Sequence, residues 1–170
     1  METGLEFFTA TCLNWQYLLV DNIHKEIVIN SLKFLVNDER IGLYGFVVMS
    51  NHIHVLWCKR EKYLAKNVQQ QFLKFTAQQI KFNLLANKPQ ELVNYESTQS
   101  DRKYHFGERR SYRATMHNRL VLEQKLDYIH ENPVKAGLCL LPEDYIYSSA
   151  SYYLNGADRW KMLTHYMEHI

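Results

Sequence analysis

Two apolar segments separated by only two polar residues restrict the folds open to this 170-residue chain more strongly than anything else in it. Residues 41–49 are apolar and β-branched, which predicts a buried strand, and residues 52–59 alternate as a second strand does. The intervening Ser50 and Asn51 are typical of a tight turn. The second segment is therefore predicted to return beside the first as an antiparallel hairpin.

Further elements surround this hairpin. The pattern predicts a strand at residues 5–13, a helix at 22–37 capped by Asp21, a long helix at 64–85, a loop at 86–101, a short strand at 112–116, a helix at 119–132 ending before Pro133 and a partly helical tail at 142–170. The order β-α-β-β-α-β-α predicts an α+β, ferredoxin-like split βαβ sandwich with an antiparallel sheet and an added C-terminal helix. Because unrelated functions share this fold, function has to come from particular residues.

Length and composition predict a single domain over residues 1–170. The chain is 46% hydrophobic and can bury a sizeable core. No stretch approaches the roughly 18 apolar residues of a membrane span, and no secretory signal is visible. Cys12, Cys58 and Cys139 are widely spaced and form no CxxC pair, which favours reduced thiols and a cytoplasmic location.

Positive charge is concentrated in the middle of the chain. Residues 1–58 carry a net charge of −3, residues 59–125 carry +8 and residues 126–170 carry −3. A basic middle between acidic ends indicates a surface that faces a polyanion. The alternative is that these lysines and arginines only solvate a helix face.

Two histidines in the returning strand are the first candidate functional residues. Residues i and i+2 of a strand share a face, so His52 and His54 project together while Ile53 packs on the other side. Paired neutral imidazoles often begin a metal site, although they can also hydrogen-bond locally without a metal ion. Cys58 shares their face but lies about 20 Å from His52 at roughly 3.3 Å per residue, so it cannot join the same ion.

The helix that precedes Pro133 holds the second candidate group. Tyr128 and Asn132 are spaced i, i+4 and lie on one helix face, with Lys125 beside them. A tyrosine phenolate can attack phosphorus and form a covalent intermediate. A divalent ion held by the two histidines and the Asn132 oxygen would polarise the phosphate, and histidine ligands suit Mn²⁺ better than Mg²⁺. The alternative is a structural tyrosine followed by an ordinary helix stop.

Together the two stretches resemble a known family. Residues 49–56, Met-Ser-Asn-His-Ile-His-Val-Leu, are similar to the HUH motif of single-tyrosine transposases, in which a hydrophobic residue separates two metal-binding histidines. Residues 128–138, Tyr-Ile-His-Glu-Asn-Pro-Val-Lys-Ala-Gly-Leu, resemble the tyrosine helix of the REP-associated branch of that family. The resemblance runs from about residue 5 to residue 152, which implies a domain core at about 5–152 and a C-terminal tail at 153–170.

The resemblance implies a role for each candidate. His52, His54 and Asn132 would bind a divalent metal ion, Mg²⁺ or Mn²⁺, and Tyr128 would be the nucleophile. The implied activity is that of a transposase that cleaves and rejoins single-stranded DNA near hairpins through a 5′-phosphotyrosine, without a nucleotide cofactor. Both a monomer and a homodimer are compatible with the resemblance.

Basic and aromatic residues outside this set are candidate DNA contacts. The cations placed to neutralise phosphates are Arg109, Arg110, Arg113, Lys125, Lys59 and Arg60. Tyr104, Phe106 and Tyr112 interleave with the arginines, which suits stacking of unpaired bases. The alternative is that these aromatic residues fill the edge of the core.

Three other functions compete with this interpretation. A domesticated hairpin-binding protein would keep the fold without transposing. A hydrolase that uses metal-activated water would keep its activity after Tyr128→Phe. A two-histidine phosphoesterase needs two H-x-Thr/Ser motifs, and none of the eight histidines is followed at i+2 by Ser or Thr.

Overall fold

Four strands form one antiparallel sheet in the computed structural model, which describes residues 4–100, 103–107 and 111–169. The strands are β1 (Leu5–Thr11), β2 (Ile41–Val48), β3 (His52–Lys59) and β4 (Tyr112–Thr115). Their order in the sheet is β2-β3-β1-β4. This order is that of the ferredoxin-like split βαβ fold, so the predicted fold class is confirmed.

The helices that pack on this sheet begin close to the predicted positions. They are α1 (Asn22–Asn37), α2 (Val68–Asn87), α3 (Arg119–Lys135) and the short α4 (Ala150–Asn155). The Asp21 carboxylate caps α1, as predicted, by accepting from the Ile23 N–H at 2.9 Å. α2 begins four residues later than predicted, because the Asn67 side chain caps it by accepting from the Gln70 N–H. None of the described helices is long and apolar enough to cross a membrane.

Two predictions for the second half of the chain were wrong. α3 continues past Pro133 to Lys135, since a proline in the last turn removes only one helical hydrogen bond. Gly137, with φ of +72°, follows the end of this helix in the left-handed conformation. The predicted loop at 86–101 contains a 3₁₀ helix, Pro89–Tyr95, in which Leu92 and Tyr95 are buried in the core.

The sheet separates two apolar clusters. The cluster between the sheet and helices α1 and α2 includes Phe8, Val55, Trp57, Ile29, Leu32 and Phe72. The cluster between the sheet and α3 includes Leu5, Phe7, Leu56, Leu122, Leu126 and Ile129. Because side chains alternate along β3, His52 and His54 lie on the face that carries α3.

A glycine lets α3 approach the sheet closely. The register of β2 against β3 shifts between Leu43 and Gly45, so Tyr44 is an extra residue in β2. A Cβ atom on Gly45 would lie only 2.6 Å from Cδ2 of Leu126. A larger residue would therefore push against the helix that carries the candidate tyrosine.

Candidate active site

His52, His54, Tyr128 and Asn132 line one cleft of about 490 Å³ between the sheet and α3. Nδ2 of Asn132 donates to Nε2 of His54 at 3.2 Å, although 78 positions separate the two residues in the sequence. The ring centroids of the two histidines are 4.8 Å apart, and that of Tyr128 is 5.0 Å from that of His54. The structure thus brings together four residues that were predicted from two separate stretches.

Apolar packing and hydrogen bonds hold α3 with its polar side facing the cleft. Its apolar side packs through Leu122, Leu126 and Ile129. The Asn118 side chain caps it by accepting from the Val121 N–H at 2.9 Å. Nε2 of His130 shares a hydrogen bond of 2.9 Å with the buried Ser149 hydroxyl, which ties the middle of the helix to the segment beside β2. Tyr128 consequently remains 44% exposed while its helix is held in place.

A hydrogen bond at Nδ1 orients each imidazole. Nδ1 of His52 donates to Oδ1 of Asn51, and Nδ1 of His54 donates to Oγ1 of Thr9, both at 2.7 Å. With the proton on Nδ1, each Nε2 carries a lone pair that can bind a ligand, and that of His54 is occupied by the Asn132 amide as long as the amide keeps its present orientation. Sequence reasoning missed both Asn51 and Thr9. Thr9 lies opposite His54 because β1 pairs with β3. The sequence patterns do not show the register in which these strands pair, so this contact could not be predicted from them.

Burial keeps both imidazoles neutral. Desolvation lowers the pKa of His52, and a hydrogen bond to Asn132 opposes this effect. Desolvation, together with the charges of His52 and Lys125, lowers the pKa of His54 to about 3. Both rings are therefore uncharged at neutral pH, and the neutral imidazole is the form that binds a metal ion.

The donor set fits an exchangeable divalent metal ion if Asn132 contributes to it. Within the described parts of the chain, no group of three or more His, Cys, Asp or Glu side chains is placed to hold a metal ion. The amide of Asn132 already reaches the histidine nitrogens, and turning it would present its oxygen instead. Two imidazoles and one amide oxygen leave coordination positions for phosphate and water.

Lys125 adds a cation to the cleft. Its Nζ lies 4.8 Å from the ring centroid of Phe7, 5.6 Å from that of Tyr112 and 5.7 Å from that of Tyr128. Contact with aromatic faces holds an ammonium group in place without neutralising it. The predicted position of Lys125 beside Tyr128 is confirmed.

Two other predicted DNA contacts lie apart from this cleft. Lys59 and Arg113 line a separate cleft of about 180 Å³ together with Glu6. Because side chains alternate along β4, Arg113 projects to the opposite face from Tyr112, which lines the cleft that contains Tyr128. A contact between DNA and Lys59 or Arg113 would therefore be remote from the candidate nucleophile.

The remaining candidates are divided among different environments. Arg60 follows the end of β3, and Arg109 and Arg110 lie outside the described residues. Phe106 is only 8% exposed and packs in the core, so the stacking role considered for it was wrong. Tyr104 packs against the same core, whereas Tyr112 is 56% exposed in the cleft that contains Tyr128.

Comparison with solved structures identifies the fold. A REP-associated tyrosine transposase bound to a REP hairpin matches this chain with a TM-score of 0.63 and 17% sequence identity, over 88% of this chain and 78% of that one. The chain has the fold of that tyrosine transposase. The resemblance inferred from the two motifs is thereby confirmed at the level of the fold.

A second solved structure is a protein from Deinococcus radiodurans, provisionally described as a transposase. It matches with a TM-score of 0.49 and 13% identity, over 75% of this chain and 88% of that one. No family model and no curated protein matches the sequence. The roles of individual residues in this transposase fold therefore rest on the geometry of the cleft.

Proposed function

We propose that this protein cleaves and rejoins single-stranded DNA near hairpins, with Tyr128 as the nucleophile. The observation that carries the proposal is the convergence of Tyr128, His52, His54 and Asn132 in one cleft. The similarity to a transposase bound to a REP hairpin supports hairpin DNA as the substrate. The net charge of +8 over residues 59–125 supports a polyanionic partner.

Cleavage would pass through a covalent bond to Tyr128. The phenolic oxygen loses its proton and attacks phosphorus, and the bond from phosphorus to the 3′-oxygen breaks as that oxygen takes up a proton. The products are a 5′-phosphotyrosine and a free 3′-hydroxyl. The 3′-hydroxyl of another strand can reverse the step, so no nucleotide cofactor is required.

The other residues of the cleft would orient and stabilise the reacting groups. His52, His54 and Asn132 would hold Mg²⁺ or Mn²⁺, which polarises a phosphate oxygen when bound. Tyr128 lines the same cleft as these three residues, so a phosphate bound by the ion would lie within reach of its phenol. Lys125 supplies positive charge where the phenolate and the phosphate would meet.

Adduct formation on labelled single-stranded hairpins tests this proposal. The substrates are hairpins from the DNA flanking the gene and a hairpin pool with randomised single-stranded flanks, each incubated with Mn²⁺ or Mg²⁺ and run on a denaturing gel. Tyr128→Phe is paired with Tyr17→Phe, and His52→Ala is paired with His117→Ala. Both control side chains are exposed and do not line the cleft.

The expected result is a metal-dependent protein–DNA adduct that is lost in Tyr128→Phe and His52→Ala and kept in both controls. Cleavage without an adduct that persists in Tyr128→Phe would assign the chemistry to metal-activated water and overturn the proposal. Tight hairpin binding without any cleavage would identify a domesticated binding protein. The homodimer and the cytoplasmic location stay predictions, which size-exclusion chromatography and cell fractionation test.

A further inference from the structure

An exposed tryptophan lies at the edge of the catalytic cleft. Trp15 is 64% exposed and lines the cleft together with His52 and Tyr128. The chain has two other tryptophans. Trp57 is fully buried, and the indole N–H of Trp160 donates to the Ile146 carbonyl. Trp15 alone among the three presents its ring to the space where a substrate would bind.

The backbone holds Trp15 in an uncommon conformation. Asn14 and Trp15 have φ angles of 52° and 57°, in the left-handed region that side chains as bulky as an indole rarely adopt. The Trp15 N–H donates to the Cys12 carbonyl at 3.0 Å, and the Leu13 N–H donates to the Phe106 carbonyl at 2.7 Å. The first bond closes a turn within residues 12–16, and the second joins this loop to a segment remote in the sequence, so a tertiary contact helps to maintain its shape.

Asn51 connects this loop to the histidine pair. Its Nδ2 donates to the Trp15 carbonyl at 3.5 Å, while its Oδ1 accepts from Nδ1 of His52 at 2.7 Å. Its own carbonyl accepts from the Cys12 N–H at 2.8 Å. One asparagine therefore contacts both the backbone of Trp15 and a candidate metal ligand.

The surroundings of Trp15 suit an unpaired base. Tyr112 and Phe7 contribute further rings to the cleft, and Lys125 contributes a cation that can meet a backbone phosphate. Aromatic faces combined with positive charge bind single-stranded nucleic acid, because every base has a π-face that can stack. The loop follows β1 at the end where Thr11 pairs with His52, so a base on the indole would adjoin the bound phosphate.

We propose that Trp15 is a stacking platform for the unpaired base next to the scissile phosphate. The inference rests on the proposed function and adds a binding subsite to it. By holding one base against the indole, the platform sets which phosphate of the strand reaches Tyr128. Asn51 links His52 to the backbone of the platform residue.

The test measures binding without cleavage, in a Tyr128→Phe background. The probe is the hairpin that the wild-type protein joins to its tyrosine, together with a series of the same oligonucleotide in which each flanking base in turn is replaced by an abasic site. The affinity for each probe is measured by fluorescence anisotropy for three proteins: the one with Trp15 intact, Trp15→Phe and Trp15→Ala. Tyr17→Phe is the control for a neighbouring exposed aromatic residue outside the cleft.

Loss of a stacked base lowers affinity by about 5- to 140-fold. We expect Trp15→Ala to show a loss in this range and Trp15→Phe to show a smaller one. An abasic site at one position beside the scissile phosphate should weaken the binding of the oligonucleotide to the protein with Trp15 intact to a similar extent. The same abasic site should leave the affinity of the Trp15→Ala protein unchanged. This position-specific coupling would not follow from a merely structural role of the indole.

The stacking proposal is overturned if Trp15→Ala binds the hairpin with unchanged affinity, or if each abasic site affects both proteins equally. In either case an adduct formed by the wild-type protein still upholds the proposed function. A change of oligomeric state in Trp15→Ala with an unaltered abasic pattern assigns the indole to a subunit interface and also overturns it. Failure of the wild-type protein to form an adduct with any hairpin overturns both proposals.

Discussion

Replacing Gly45 with alanine tests how closely the tyrosine helix must approach the sheet. The added methyl group would lie 2.6 Å from Cδ2 of Leu126, about 1 Å closer than an ordinary van der Waals contact. Leu126 is 4% exposed and packs beside Ile129, so its side chain has little free space. Either Leu126 leaves its rotamer or α3 moves, and each response lowers the free energy of unfolding by about 1–3 kcal/mol.

The same substitution is expected to slow adduct formation. α3 carries both Tyr128 and Asn132, and the Asn132 amide lies 3.2 Å from His54 across the cleft. A displacement of roughly 1 Å at reacting groups lowers a rate by about 100-fold. We therefore expect Gly45→Ala to lose more activity than partial unfolding explains, because a displaced α3 would carry Tyr128 and Asn132 with it.

Urea unfolding followed by circular dichroism measures the stability of each variant, and the adduct gel measures the rate. Gly107→Ala is the matched control, because its new methyl group would lie 3.7 Å from the nearest atom, the Thr11 carbonyl oxygen. Leu126→Ala in the Gly45→Ala background removes the clash, so the loss in the double variant should be smaller than the two single losses combined. Additive losses, or an unchanged stability of Gly45→Ala, would show that the contact does not limit the approach of α3.

Three further predictions concern the cleft and the core. Thr9→Val removes the acceptor of the His54 Nδ1–H, so Mn²⁺ affinity measured by isothermal titration calorimetry should fall by about 10- to 100-fold. Unchanged affinity would contradict the orienting role of Thr9. Lys125→Met keeps the aliphatic stem but removes the charge, so the slope of log affinity against log salt concentration for hairpin binding should shrink by about 0.7–0.9. An unchanged slope would place this ammonium away from the DNA. Burial raises the pKa of the Cys12 thiol to about 12, so iodoacetamide at about pH 8 should modify Cys139 at least about tenfold faster than Cys12 in the folded protein. Equal rates, followed by mass spectrometry of the peptides, would contradict the burial of Cys12.

Local patterns were enough to place the candidate catalytic and metal-binding side chains on their own elements. Alternation along residues 52–59 puts His52 and His54 on one strand face, and helical periodicity puts Tyr128 and Asn132 on one helix face. Both relations follow from the repeat of the backbone and need no knowledge of the rest of the chain. The order of the elements likewise pointed to the sheet arrangement that is observed.

Packing between secondary-structure elements determined the distances between residues that lie on different elements. The meeting of Asn132 with His54 requires α3 to cross β3, which depends on Gly45 accepting Leu126 from a segment about 80 positions away. Such contacts also bring Thr9 to Nδ1 of His54. They likewise hold the loop that presents Trp15 in its left-handed conformation. Periodicity sets the direction of a side chain relative to the axis of its own element. Which surface that side chain then faces is set by packing between residues that are remote in the sequence.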